Sequence, residues 1–144
     1  MQPYDPDNIF SKILAGTFPS HKVHEDPTAI AIMDVFPQAR GHVLVIPRTP
    51  SRNLLDAKPA VLSGLMPLVQ RLARAVLAAT EADGIRLVQF NEAPAGQSVF
   101  HLHFHLIPAY EGASLRPHAS GGRADDAELA SLAATIRSAL EQTS

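Results

Sequence analysis

The segment His101-Leu102-His103-Phe104-His105-Leu106-Ile107 alternates imidazole and hydrocarbon at every step. Successive side chains of an extended strand point to opposite faces. The pattern therefore sets His101, His103 and His105 on one side and Leu102, Phe104 and Leu106 on the other. The apolar side has to be covered, and 144 residues are enough to cover it around a single core. Alternation and turn signals together predict a strand over 98–107.

The rest of the chain supplies the cover. Residues 1–7 are polar and broken by proline, which predicts an irregular arm. Asp7 or Asn8 can cap a short helix carrying Ile9, Phe10, Ile13 and Leu14 on one face, with Gly16 ending it. Val23–Glu25 and Ala29–Met33 read as strands around an Asp26-Pro27 turn. Another strand, 42–46, follows the turn Pro37–Gly41 and closes at Pro47. These connections are too short for crossover helices, so neighbouring strands should be antiparallel.

Between Lys58 and Ala82, apolar residues recur every three or four positions (Val61, Leu65, Leu68, Leu72, Val76, Ala79), which predicts a long helix with Arg71 and Arg74 toward solvent. Pro67 predicts a kink there, or a helix that starts near it. Gly84 should end the helix, before a strand over 85–90 and a loop over 91–96. A glycine-rich, flexible loop is expected over 111–125, and a last amphipathic helix over 126–142 presents Leu129, Leu132, Ile136 and Leu140. With no internal repeat and no domain boundary, the expectation is one domain over 1–144. Its class is α+β, with an antiparallel sheet of about five strands, one long central helix, a short N-terminal helix and a C-terminal helix.

Composition narrows the function. A net charge of −2 provides no global basic field for nucleic acid. The absence of cysteine removes disulfides, thiol nucleophiles and cysteine-ligated zinc. The acidic N-terminus is unlike a secretory signal, and no run reaches the ~20 apolar residues of a membrane span. The expected location is the cytoplasm, with no membrane partner.

The imidazole face offers nothing to a core that leucine would not do better. It can be a solvated face, or it can hold a metal, with His42 as a further ligand. The remaining alternative is covalent catalysis on phosphorus. Neutral imidazole is nucleophilic near pH 7, and its neighbours can hold its tautomer or contact phosphate oxygens. The loop Asn91-Glu92-Ala93-Pro94-Ala95-Gly96-Gln97-Ser98 beside it supplies backbone amides, a glycine and a hydroxyl suited to phosphate.

With these residues in view, the chain resembles the histidine-triad (HIT) family, whose motif His-φ-His-φ-His-φ-φ (φ hydrophobic) is met at every position of 101–107. The likeness extends through Gly96-Gln97-Ser98-Val99, Ile9-Phe10, Met33-Asp34, Pro37-Gln38 and Gly41–Pro47, covering roughly residues 4 to 111. The resemblance implies a HIT-like fold and nucleotide hydrolase or transferase chemistry at the α-phosphate, with no required metal or cofactor. His103 would be the nucleophile, His101 its support and His105 a phosphate ligand. Ser98 would act on phosphate or leaving group, with Asn91, Gly96, Gln97 and Val99 alongside. Asp34 would take the ribose hydroxyls, since a carboxylate can accept from both. Ile9, Phe10, Met33 and Val35 would enclose the base, a purine by resemblance, and His42 would line the pocket from behind. Relatives pair as two-fold dimers through the long helix and a sheet edge, so a homodimer is expected.

One departure stands out. Many bacterial relatives carry a Cys-x-x-Cys pair where this chain has Asn8-Ile9-Phe10-Ser11, and a histidine where it has Arg48-Thr49-Pro50-Ser51. No structural zinc is therefore expected, and the first helix should be held by apolar packing alone. Besides a hydrolase of nucleoside phosphoramidates or dinucleoside polyphosphates, two functions stay open: a metal-binding protein using the histidine ladder, and a nucleotide-binding regulator with little turnover.

Overall fold

Asp26 organises the first hairpin. Its carboxylate accepts the amides of Thr28 at 2.7 Å and Ala29 at 2.9 Å, closing the turn between β1 (Lys22–Glu25) and β2 (Ala29–Met33). β2 pairs with β3 (Val43–Pro47) in register from Ala29–Pro47 to Met33–Val43. The computed structural model describes residues 1–115 and 122–142. In it β5 (Phe104–Ala109) lies between β3 and β4 (Gly84–Val88), giving a five-stranded sheet ordered β1-β2-β3-β5-β4. Every pairing is antiparallel.

The two faces of the sheet carry different loads. On one, α2 (Pro59–Thr80) and α3 (Asp126–Gln142) bury Leu65, Leu72, Val76, Leu132 and Ile136 against Val43, Val45, Leu102, Phe104 and Leu106. The other face carries α1 (Ile9–Leu14), whose Phe10 and Ile13 pack on Ile30, Ile32, Leu44 and Ile46. α1 is too short to cover this second face, and the imidazoles occupy what it leaves.

Several boundaries differ from the sequence expectation. β5 begins at Phe104, so residues 98–103 are irregular. Its ladder with β3 ends where Val45 meets Phe104, and the segment before it bonds elsewhere. Gly84 opens β4 instead of ending the helix, because Glu81 already ends it in the left-handed region at φ 56. α2 does not start at Pro67 but runs through it from Pro59. Of its two arginines, Arg74 is exposed while Arg71 is half-buried. By length and composition α2 would also suffice to cross a membrane, although the sequence predicted no such run. Here its buried side serves the core. Within the expected loop over 111–125, the described residues form no helix or strand, and 116–121 lie outside the described residues.

Candidate active site

α1 is set by Asn8, whose side-chain oxygen accepts the Ser11 amide at 3.0 Å, a helix N-cap. This places Ile9, Phe10 and Ile13 along one wall of a cleft of about 700 Å³. The end of β2 and the residues after it bring Met33, Asp34 and Val35 to the same cleft, and Ser98, Val99, His103 and His105 line it from the C-terminal side. The volume lies in the range of small-molecule sites. Thus most of the expected nucleotide pocket is brought together. Phe18, His21, Arg123 and Asp126 also line it, and none of them was singled out by sequence.

The histidines keep their alternation although only His105 lies in the strand, and each is tied to a different partner. His101, wholly buried, uses both ring nitrogens: Nε2 meets the Pro47 carbonyl at 2.7 Å and Nδ1 meets the Tyr4 hydroxyl at 2.6 Å. Burial pushes its pKa below the ordinary histidine range, while the hydrogen bond to Pro47 works the other way. Nδ1 of His103 lies 2.7 Å from the carbonyl of His101. A carbonyl only accepts, so this nitrogen carries the proton, and the lone pair of the neutral ring is on Nε2. Phe10 meets the His103 ring edge-on at 4.8 Å.

His105 is set by His42. The Gln38 amide donates to Nδ1 of His42 at 3.0 Å, so that ring holds its proton on Nε2. Nε2 then donates to Nδ1 of His105 at 2.9 Å, which leaves the His105 proton on its own Nε2. Asp34 stands behind, with its carboxylate 3.5 Å from Nε2 of His42 and accepting the Phe36 amide at 2.8 Å. Gly41 makes this corner possible. It sits at φ +93, and a Cβ there would lie 2.5 Å from Cγ2 of Thr80.

Ligand atoms of Asp34, His42 and His105 lie within 4.8 Å of one another, close enough to hold a metal ion. The donor set fits poorly. A metal on His42 Nε2 would displace the proton that joins it to His105, while His42 Nδ1 is occupied by an amide. The ladder fits worse, since both His101 nitrogens are engaged.

Asn91, Gly96 and Gln97 do not line the cleft; they frame the loop that leads to Ser98, which does. Gln97 accepts the Glu92 amide at 2.8 Å and donates to the Arg52 carbonyl at 2.7 Å. The Glu92 carboxylate takes Arg52 Nε at 2.8 Å, Arg52 Nη2 at 2.9 Å and Asn53 at 2.7 Å. The Arg52 guanidinium holds the Glu92 carboxyl below its usual range, against desolvation. Asn91 accepts the Leu54 amide at 3.0 Å. Arg52 and Asn53 escaped the sequence reading because a polar pair after a turn looks like any loop. Phe90, edge-on to His105 at 5.7 Å, was read only as a strand residue.

The expectation that packing alone holds α1 is corrected here. Asn8 and Ser11 also bond to the Tyr4 hydroxyl, at 2.9 and 2.6 Å, and through it to His101.

An antiparallel α+β fold with histidines at alternate positions beside a cleft of small-molecule size defines a class of histidine-based binding or catalytic sites. The chain belongs to the HIT family: the HIT domain matches residues 15–112. It is 37% identical over 123 residues to Protein hit of Bacillus subtilis, covering 82% of this chain and 85% of that one. It is 36% identical over 105 residues to Adenylylsulfatase HINT3 of Arabidopsis thaliana, covering 73% of this chain and 53% of that one. The crystal structure of a Hit-like protein involved in cell-cycle regulation from Bartonella henselae, with unknown ligand, superposes with a TM-score of 0.91 at 48% identity, over 96% of this chain and 99% of that one. At family level this is a nucleotide-binding hydrolase or transferase.

Proposed function

We propose that the protein hydrolyses nucleoside phosphoramidates or dinucleoside polyphosphates at the α-phosphate and releases a nucleoside monophosphate, with a purine as the base. The observation that carries this reading is the bond from His103 Nδ1 to the His101 carbonyl, which leaves the ring's lone pair on Nε2 beside the cleft. That lone pair attacks the α-phosphorus. As the P–N bond forms, the bond from phosphorus to the leaving nitrogen or oxygen breaks, and its electron pair departs with the leaving group. Water then attacks phosphorus, the P–N bond breaks, and the pair returns to Nε2. The net reaction moves one proton from water to the leaving group. His105 Nε2–H donates to a phosphate oxygen, Ser98 serves the phosphate or leaving group, and Asp34 accepts from the ribose.

The test compares wild type with His103→Ala on a fluorogenic adenosine phosphoramidate and on a dinucleoside tetraphosphate. Turnover by wild type alone is the expected result; equal inertness on both substrates overturns the assignment. A metal-binding reading draws its support from the Asp34, His42 and His105 cluster, and stoichiometric metal in the purified protein would favour it.

The protein should act as a homodimer. Leu87 on edge strand β4 and Met66 and Leu77 on α2 are exposed apolar residues, and buried Arg71 Nε makes no hydrogen bond within the described residues. Leu87→Glu should give a monomer in sedimentation. A cytoplasmic setting suits a nucleotide enzyme without disulfides.

A further inference from the structure

Residues 101–103 carry the proposed nucleophile, yet they precede the β-ladder, which starts at Phe104. Their position depends on bonds made outside the sheet. The Leu102 amide donates to the Ser51 carbonyl at 2.9 Å, and the His101 ring spans from the Pro47 carbonyl to the Tyr4 hydroxyl. Tyr4 comes from the irregular N-terminal arm, 97 residues away in sequence.

The proton directions in this cluster follow from its chemistry. The Pro47 carbonyl can only accept, so His101 Nε2 carries hydrogen and Nδ1 of the neutral ring must accept. The Tyr4 hydroxyl therefore spends its single proton on His101, at 2.6 Å. Its oxygen then accepts from Ser11 Oγ at 2.6 Å and from Asn8 Nδ2 at 2.9 Å. Asn8 Nδ2 also reaches Ser11 Oγ at 3.1 Å, while Asn8 Oδ1 caps α1 through the Ser11 amide. Asn8 Nδ2 gives one hydrogen to the Asp5 carbonyl at 2.7 Å and shares the other between the Tyr4 and Ser11 oxygens. The set runs from the cap of α1 through Tyr4 to His101, and from the His101 carbonyl to Nδ1 of His103.

We infer that Tyr4 is a positioning residue of the hydrolytic site: its hydroxyl, acting through the His101 ring, holds the carbonyl that fixes the tautomer and aim of His103. This rests on the reading of His103 as nucleophile. Tyr4 reaches the reacting atoms only through His101, so its removal should slow the chemical step and leave ground-state binding in the cleft largely intact. The aromatic ring packs edge-on against His101 at 5.6 Å, and phenylalanine can keep that contact while losing the hydroxyl.

The experiment uses the full chain carrying Tyr4→Phe, assayed on the adenosine phosphoramidate with kcat and KM resolved. Nitrogen-15 imidazole spectra follow the His103 tautomer in parallel. The expected result is kcat about tenfold lower, KM within about twofold, and loss of the single Nδ1–H signature of His103. Ser11→Ala, which removes one donor to the Tyr4 oxygen, should move both readouts the same way by less, and it carries the test if Tyr4→Phe does not fold. A wild-type kcat with an unchanged His103 signal overturns the role. So does a fall in kcat that tracks only a lower melting temperature while the His103 signal stays as it was. The nucleophile itself is judged separately: wild-type turnover by His103→Ala would end that reading, whatever the spectra of Tyr4→Phe report.

Discussion

His42 donates from Nε2 to Nδ1 of His105 across 2.9 Å because its own Nδ1 is already occupied by the Gln38 amide. The backbone of one turn thus dictates which nitrogen of a histidine lining the cleft bears hydrogen. A buried imidazole placed in this way holds its neighbour in one tautomer.

His42→Ala removes that hold and leaves a hole in a fully buried site. Activity should fall about tenfold to a hundredfold, the range of a misaligned acid–base or positioning group. His42→Gln, which can still donate toward His105, should recover part of it. Steady-state kinetics on the phosphoramidate check this, and equal rates for Ala and Gln would argue that His42 only fills space.

Asp34 accepts the Phe36 amide through one oxygen and is among the residues that line the cleft. Further hydrogen bonds from two ribose hydroxyls are compatible with a carboxylate's capacity. Asp34→Asn should weaken ribonucleotide binding by about 1–3 kcal/mol, the scale of hydrogen bonds to a charged group. Dideoxyribonucleotides should bind wild type and variant alike. If calorimetry shows wild type binding both sugars equally, Asp34 has some other task.

Glu92 sits at φ 75, a left-handed backbone that a β-carbon disfavours, while its carboxylate braces Arg52 and Asn53. The brace holds the loop that ends in Ser98, so Glu92→Gln should loosen phosphate placement. KM should rise about threefold to tenfold, with a lower melting temperature. Glu92→Gly would relax the backbone but lose the carboxylate, and should melt lower as well. An unchanged KM in Glu92→Gln would show that the loop holds without its charge.

What the sequence disclosed follows from range. The alternation of His101 to Ile107 is local, and it correctly separated the apolar side from the imidazole side even where the strand had not begun. The start of the strand was not legible, because ladder partners decide it: Val45 pairs with Phe104, and the Pro47 carbonyl is taken by a side chain instead. Asp7 or Asn8 read as a cap because an N-cap is a three-residue event, and the structure chooses Asn8. Tyr4 did not read at all, since its partner is 97 positions away, and the Arg52–Glu92 brace spans 40. Bonds of that length leave no periodicity in the chain.

His101 makes the pH dependence of stability specific. Its imidazole is buried and held below the ordinary range, with Tyr4 and Phe10 as the rings against it. In the unfolded chain the same ring takes a proton near pH 6.5, so on acidification the unfolded state binds protons first. The contribution is therefore complete above about pH 6.5 and is lost as pH falls from there toward the folded-state value, with a slope of at most about 1.4 kcal/mol per pH unit for one proton. Urea unfolding across this window should show wild type losing stability toward acid more steeply than His101→Gln, which has no proton to gain. Parallel curves for the two proteins would mean that the ring takes its proton in the folded chain as readily as in the unfolded one, for instance through local opening of the 98–103 segment.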